Sequence, residues 1–204
     1  MRNKVIIGIL LVGAALTMVG GCTALTVVGK YNNMVIRSKT VDAQLSQVEN
    51  VCQRRADLIP NLVNTVQSYA KHERKALTDV INARAKATQV TLKVDQLDQA
   101  TLNKFQEAQG ELSSALSRLM VTVEQYPNLK ADGLFKDLMI QLEGTENRIA
   151  VERRSYIKLV QDYNTTISIF PNNIVAGVFN FKEKPNFQAN EGAKQAPKVD
   201  IEVE

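Results

Sequence analysis

Tryptophan is absent from these 204 residues, aromatic residues make up only 5% of the chain, and there are just five prolines. That poverty argues against a β-sandwich, which relies on bulky inward-facing side chains and frequent turn residues. Two cysteines cannot build a disulfide framework. The single histidine, His72, is followed directly by Glu73, and neighbouring residues on a helix point in different directions, so the two do not form a metal pair. A zinc site needs three or four His, Cys or carboxylate ligands, and the sequence offers no such cluster. No phosphate-binding loop, nucleophile elbow or dinucleotide fingerprint is present. The net charge of +4 is small and its basic residues are interleaved with acidic ones. There is no clustered basic face to bind nucleic acid.

The reading of function is therefore largely negative: no enzyme, no cofactor, no metal, no nucleic-acid partner and no evident small-molecule substrate. What the chain does carry is an apolar content of 45%, ample for a core. Length fits one domain with appendages.

The N-terminus is the clearest feature. Arg2 and Lys4 precede an uncharged run from Val5 to Gly29 of about 25 residues. At about 1.5 Å per residue such a helix crosses a hydrocarbon layer of about 30 Å. Basic residues before the run place the N-terminus inside and the rest outside. Two forms of anchor compete: an uncleaved single-pass span, which the length favours, or a lipoprotein signal ending at Val19-Gly20-Gly21-Cys22, with Cys22 the candidate lipidation site. Cys52 reads as a small core residue.

From Tyr31 onward, residues on one face step by three and four: Tyr31, Val35, Ser38, Val41, Leu45, Val48, Cys52, Arg55, Ile59, Leu62, Val66 and Tyr69, then Ala76, Val80, Ala83 and Ala87. This spacing predicts one long helix with a coiled-coil-like seam, kinked but unbroken at Pro60. Arg55 falls on the apolar stripe. It either snorkels to water or has its guanidinium held by carbonyls freed near Pro60 or by an acid on another helix. A loop over Val90–Val94 leads to Asp95 or Asp98 as an N-cap. A second seam runs from Leu102 to Tyr126 and stops before Pro127. Asn128–Ala131 connects to a cap at Asp132. A third seam runs from Phe135 to Ile167, ending at Phe170-Pro171.

The fold expectation is all-α: an elongated antiparallel bundle of three long helices with an N-terminal membrane helix and a short C-terminal helical segment. Its parts are an anchor over 1–29, a bundle over 30–171, an apolar segment over 172–187 and a disordered tail over 188–204. The alternation from Val199 to Glu204 reads either as a solvated acidic tail or as a segment adding to a partner's sheet edge. Asn164-Thr165-Thr166 matches a glycosylation acceptor, a pattern short enough to recur by chance.

The short connection before Asp132 predicts that the third helix folds back on the second, with Leu116 near Leu142. Folding the second helix back on the first in the same way sets Leu116 level with Lys71 and Glu146 level with His72, and brings Arg54 and Arg55 near Asp132. The alternative sends the third helix along Tyr31–Cys52 and delivers Ile174–Phe181 to the membrane surface.

Several strings resemble the signatures of LemA proteins: Tyr31-Asn32, Arg54-Arg55-x-Asp57-Leu58-Ile59-Pro60-Asn61-Leu62-Val63, Tyr69-Ala70-x-His72-Glu73, Tyr126-Pro127-x-Leu129-Lys130-Ala131, Glu146-Asn147-x-Ile149-Ala150, Tyr163-Asn164 and Phe170-Pro171. The resemblance covers roughly Tyr31 to Phe187. It implies a bacterial envelope protein with a membrane segment and a helical bundle, and carries no established enzymatic activity with it. Glu152-Arg153-Arg154-Ser155-Tyr156-Ile157 departs from the family's usual Ala-Arg-x-x-Tyr-Asn, so a polar role at that turn is not carried over. The expected function is a membrane-anchored scaffold that binds protein partners or itself. The alternative is a membrane-active protein that docks on and organises the bilayer.

Overall fold

The computed structural model describes residues 2–93 and 97–188. Val94, Asp95 and the tail beyond Gln188 lie outside the described residues, as do the side chains of Cys22 and of most of the N-terminal apolar run. Among the described residues six helices follow one another: α1 (Arg2–Tyr69), α2 (Arg74–Gln89), α3 (Gln99–Val123), α4 (Pro127–Ala131), α5 (Gly133–Ser168) and α6 (Asn172–Val178). Among the described residues there is no strand, and among them, which leave out most of the side chains from Val5 to Gly29, no helix is long and apolar enough to cross a membrane, so the expected N-terminal membrane helix falls largely outside what the structure describes.

Two compact units divide the chain. The larger comprises Gln44–Ile157 with the segment from Pro185, and the smaller comprises the chain up to Ala43 with Lys158–Lys184.

In the larger unit, the core is made where the stripe predicted from the sequence meets its partners. Ile59, Leu62 and Val66 of α1 pack with Leu77, Val80 and Ala83 of α2, Leu112, Ala115 and Leu119 of α3, and Phe135 and Leu142 of α5. As α1 is followed downward through Tyr69, Arg55 and Gln44, the hydrogen-bonded residues of its partners rise through Asp132, Glu146 and Glu152. So α5 runs antiparallel to α1. The fold-back of α5 on α3 is also present: Leu116 packs against the cluster that holds Leu142, and Ser113 and Glu146 share one guanidinium.

Two expectations are corrected. The first long helix does not reach Ala87. It ends at Tyr69, and Ala70–Glu73 reverse the chain into α2, so the bundle has more than three helices. The reversal contains no glycine or proline to mark it, and the apolar phase continues across it, so nothing local betrays it. Its anchor is distant in sequence: the Tyr126 hydroxyl donates to Glu73 at 2.9 Å. The levels calculated for the first helix fail with it. Because α2 occupies the return path, Asp132 meets Tyr69 rather than Arg54 or Arg55, and Glu146 meets Arg55 rather than His72.

The path through Pro60 is as expected, since α1 is continuous across it. A proline leaves the carbonyl four residues back, here that of Ala56, without its helical donor. Arg84 of α2 supplies the missing bond, its Nε donating to the Ala56 carbonyl at 2.7 Å. The defect in one helix is thus a docking point for the next. Caps at Asp98 and Asp132 are both formed: Asp98 accepts from the Thr101 amide at 2.7 Å and Asp132 from the Phe135 amide at 2.8 Å. These bonds hold both carboxyls below the usual aspartate range, Asp98 chiefly through Thr101 and Asp132 chiefly through Phe135. Their contribution to stability is present above that range and is lost as the pH falls through it.

In the smaller unit, Met34 and Val41 of α1 are buried with Val160, Tyr163 and Ile167 of α5 and Val175 and Ala176 of α6. The stripe near the N-terminal run is therefore covered by the end of α5 and by α6.

Leu62 has no exposed surface, whereas Leu134 is 59% exposed. Leu62→Ala is expected to destabilise the larger unit by about 2–5 kcal/mol in denaturant unfolding, and Leu134→Ala by no more than about 0.5 kcal/mol.

Candidate functional site

Some of the residues singled out by motif, Arg55 and Glu146 first among them, make contacts that hold helices together. Arg55 is the centre of the first group. It is 2% exposed, and one of its terminal nitrogens donates to the Glu146 carboxylate and to Ser113 Oγ, the latter at 2.9 Å. The other terminal nitrogen donates to Gln109 Oε1. One side chain of α1 thereby binds α3 and α5 together. Of the two readings of Arg55, the acid on another helix is realised; the carbonyl freed by Pro60 goes to Arg84 instead. The Glu146 side chain remains 55% exposed, so the pair has one desolvated and one wetted end.

Neighbouring motif residues do not converge on this point. Arg54 and Asn147 are exposed. Asp57 is also exposed and accepts from Gln53 at 2.8 Å. The Asn61 carbonyl accepts from Thr65 Oγ1 at 2.9 Å. His72 is exposed in the turn before α2, and Glu73 beside it takes the Tyr126 hydroxyl. The bond to Glu73 raises the pKa of Tyr126, and the matching bond to Asp132 raises that of Tyr69.

A second group secures the chain after α6. Asn164 Nδ2 donates to the Lys184 carbonyl at 3.0 Å, and the Lys184 amide donates back to Asn164 Oδ1 at 2.9 Å. The Tyr163 hydroxyl donates to the Lys182 carbonyl at 3.1 Å. Lys184 Nζ lies 5.8 Å from the centre of the Tyr163 ring and reaches Asp42 at 2.5 Å. Burial pushes the Tyr163 phenol above its ordinary pKa. The Asn164 side chain is thus engaged as a two-way clamp on backbone.

In the larger unit the segment from Pro185 is held differently. The Tyr156 hydroxyl donates to the Pro185 carbonyl at 2.9 Å, the Phe187 ring meets that of Tyr156 at 5.2 Å, and Arg153 lies 4.5 Å over the Phe187 ring. Sequence reasoning missed Gln109, Ser113 and Arg84. Gln109 lies four residues after Phe105 and three before Leu112, and Ser113 four after Gln109 and three before Leu116, a spacing that places both polar groups beside a core helix's seam. Arg84 follows Ala83 on the α2 stripe.

Reactive chemistry is sparse. Cys52 is buried, and desolvation pushes its thiol from 9.0 up to about 11 despite the opposing charges of Arg55 and Arg153. It is a poor nucleophile at neutral pH. Its preference for the protonated form contributes stability that is fully present below about pH 9 and lost as the pH rises towards 11. A cavity of about 40 Å³ beside Cys52, Phe105 and Gln109 is comparable to the volume of a single water. Among the described residues, no three His, Cys, Asp or Glu side chains gather as a metal site.

A family model for LemA matches residues 44–201, more than half the chain. The protein belongs to the LemA family. Two proteins named magnetosome protein MamQ, from Paramagnetospirillum magneticum, are each 29% identical over 80% of this chain and 66% of their own length. Protein LemA of Metamycoplasma hominis is 23% identical over 80% of this chain and 71% of its own. The chain thus spans just under two thirds of the MamQ relatives it matches. Apart from Asp42, the residues of both groups, from Arg55 to Phe187, fall in the region covered by the family model.

Asn164→Ala removes two part-buried hydrogen bonds, each worth about 0.5–1.5 kcal/mol. We expect faster hydrogen exchange at the Lys184 amide in this variant, with the amides of α3 unchanged.

Proposed function

We propose that this LemA-family protein is a membrane-anchored, extracytoplasmic helical scaffold of the bacterial envelope, which binds protein partners or itself and performs no catalysis. The observation that carries the reading is the conjunction of two features. An uncharged run from Val5 to Gly29 follows Arg2 and Lys4, and the helix containing it continues without a break into the packed bundle. A run of this length suits a single span, and the charge before it sets the N-terminus inside. The length of the run favours the uncleaved span over cleavage and lipidation at Cys22.

The side chains support a scaffold rather than an enzyme. Arg55, Glu146, Glu73, Tyr163 and Asn164 are spent on contacts between separate segments of the chain, and the cysteine in the core is held protonated. The relatives carry names that refer to a structure or a family rather than a reaction. The parts follow: an anchor over 1–29, a bundle over 30–171, an apolar segment over 172–187 and a terminal tail over 188–204.

Full-length protein is expected to stay in the membrane pellet after alkaline extraction and to be digested by protease added outside intact spheroplasts. Release into the soluble fraction, or protection from external protease, contradicts the reading. Intact mass distinguishes the anchors: the uncleaved span retains Met1 or Arg2, and a lipoprotein shows an acyl mass that Cys22→Ala abolishes.

A further inference from the structure

The outward face of the smaller unit is built the wrong way round for water. In α6, Val175 and Ala176 face the core and are buried, while Ile174 and Val178 are 58% and 74% exposed. They lie four residues apart and so share one face. A helix on an aqueous surface normally turns polar residues outward. On either side of α6 in the chain, Phe170 and Phe179 are 78% and 48% exposed, and Ile169 is 51% exposed. Five exposed large apolar residues within eleven positions of the chain mark a site of contact with an apolar partner.

The position of the patch identifies that partner. Lys30, the first charged residue after the uncharged run, donates through Nζ to Asn172 Oδ1 at 2.7 Å. Asn172 is the first residue of α6. Tyr31 packs its ring 4.8 Å from that of Phe179 and 5.6 Å from that of Phe181. The exposed apolar face is thereby fastened at the level where the apolar run ends. Aromatic rings are enriched at that depth of a bilayer, and lysines reach from it towards headgroups.

We propose that Phe170, Ile174, Val178 and Phe179 form an interfacial foot that inserts into the outer boundary of the bilayer, beside the emerging span, with Lys30 and Lys182 at the headgroup level. This rests on the anchor reading above. The foot gives the bundle a second membrane contact, about 140 residues along the chain from the first, and the fixed bond between Lys30 and Asn172 joins the two. The C-terminal side of the fold is then read by lipid rather than by solvent.

Because the chain has no tryptophan, single replacements report position without background. Full-length Ile174→Trp, Val178→Trp, Val28→Trp and Ile140→Trp proteins, reconstituted in vesicles of zwitterionic and anionic phospholipid, are compared with and without brominated acyl chains. Insertion of about 5–10 Å into the headgroup–acyl boundary predicts blue-shifted emission at 174 and 178 with roughly twofold quenching by brominated lipid. Ile140, exposed in the larger unit, is expected to show neither effect. Quenching at 28 without quenching at 174 or 178 overturns the foot and leaves the anchor standing. No quenching at 28 overturns the anchor and the foot with it. A blue shift at 174 and 178 that brominated lipid does not quench assigns the face to a second protein surface and also overturns the proposal.

Discussion

A guanidinium cannot lose its charge at any pH a cell meets, so burying one forces the surroundings to answer it. Arg55 sits in the middle of an apolar stripe with almost no exposed surface, and every terminal bond it makes goes to a different helix from its own. That constraint sets much of the larger unit. It fixes the rotation of α3, which must present Gln109 and Ser113 together, and it fixes the level of α5, which must bring Glu146 alongside. An apolar seam alone tolerates sliding by a turn, because one leucine resembles the next. A buried charge with a single matching acid does not.

Pro60 works by the same logic one turn further along. The proline deprives the Ala56 carbonyl of its helical donor, and Arg84 answers it from α2. Two arginines thus pin three helices to α1 within a short stretch, one by an excess charge and one by a missing donor. The string from Arg54 to Val63 reads as chemistry but acts as assembly: it specifies which helix lies where. The hydroxyls of Tyr69 and Tyr126 close the far end of the bundle on Asp132 and Glu73, and Asn164 closes the other unit on Lys184.

The all-α class, the course through Pro60, the caps at Asp98 and Asp132 and the burial of Cys52 were legible from periodicity and local chemistry. The break at Ala70–Glu73 was not, because helical phase survives a reversal and the turn carries neither glycine nor proline. That one missed turn displaced every level calculated across α1, while the pairing of α3 with α5, which depends only on the turn before Asp132, was correct. The partners of Arg55 were readable only as a class. Choosing Glu146 among many acids requires knowing that α2 occupies the return path. The exposed face of α6 could be seen as apolar in sequence, but its attachment at Lys30 needed the fold.

Family membership, the motif contacts and the sealed thiol combine into one picture of a protein whose specificity lies in how its helices are locked. The measurement that tests this most directly is a double-mutant cycle on Arg55→Met and Glu146→Ala, followed by denaturant unfolding of the full chain in detergent. The account predicts that Glu146→Ala alone is strongly destabilising despite the exposure of Glu146, because it strands a buried charge, and that the two changes couple by about 1.5–3 kcal/mol, the double variant being more stable than the sum of the single effects implies. Additivity to within about 0.5 kcal/mol would mean that Arg55 and Glu146 do not depend on each other, and the lock would have to lie elsewhere.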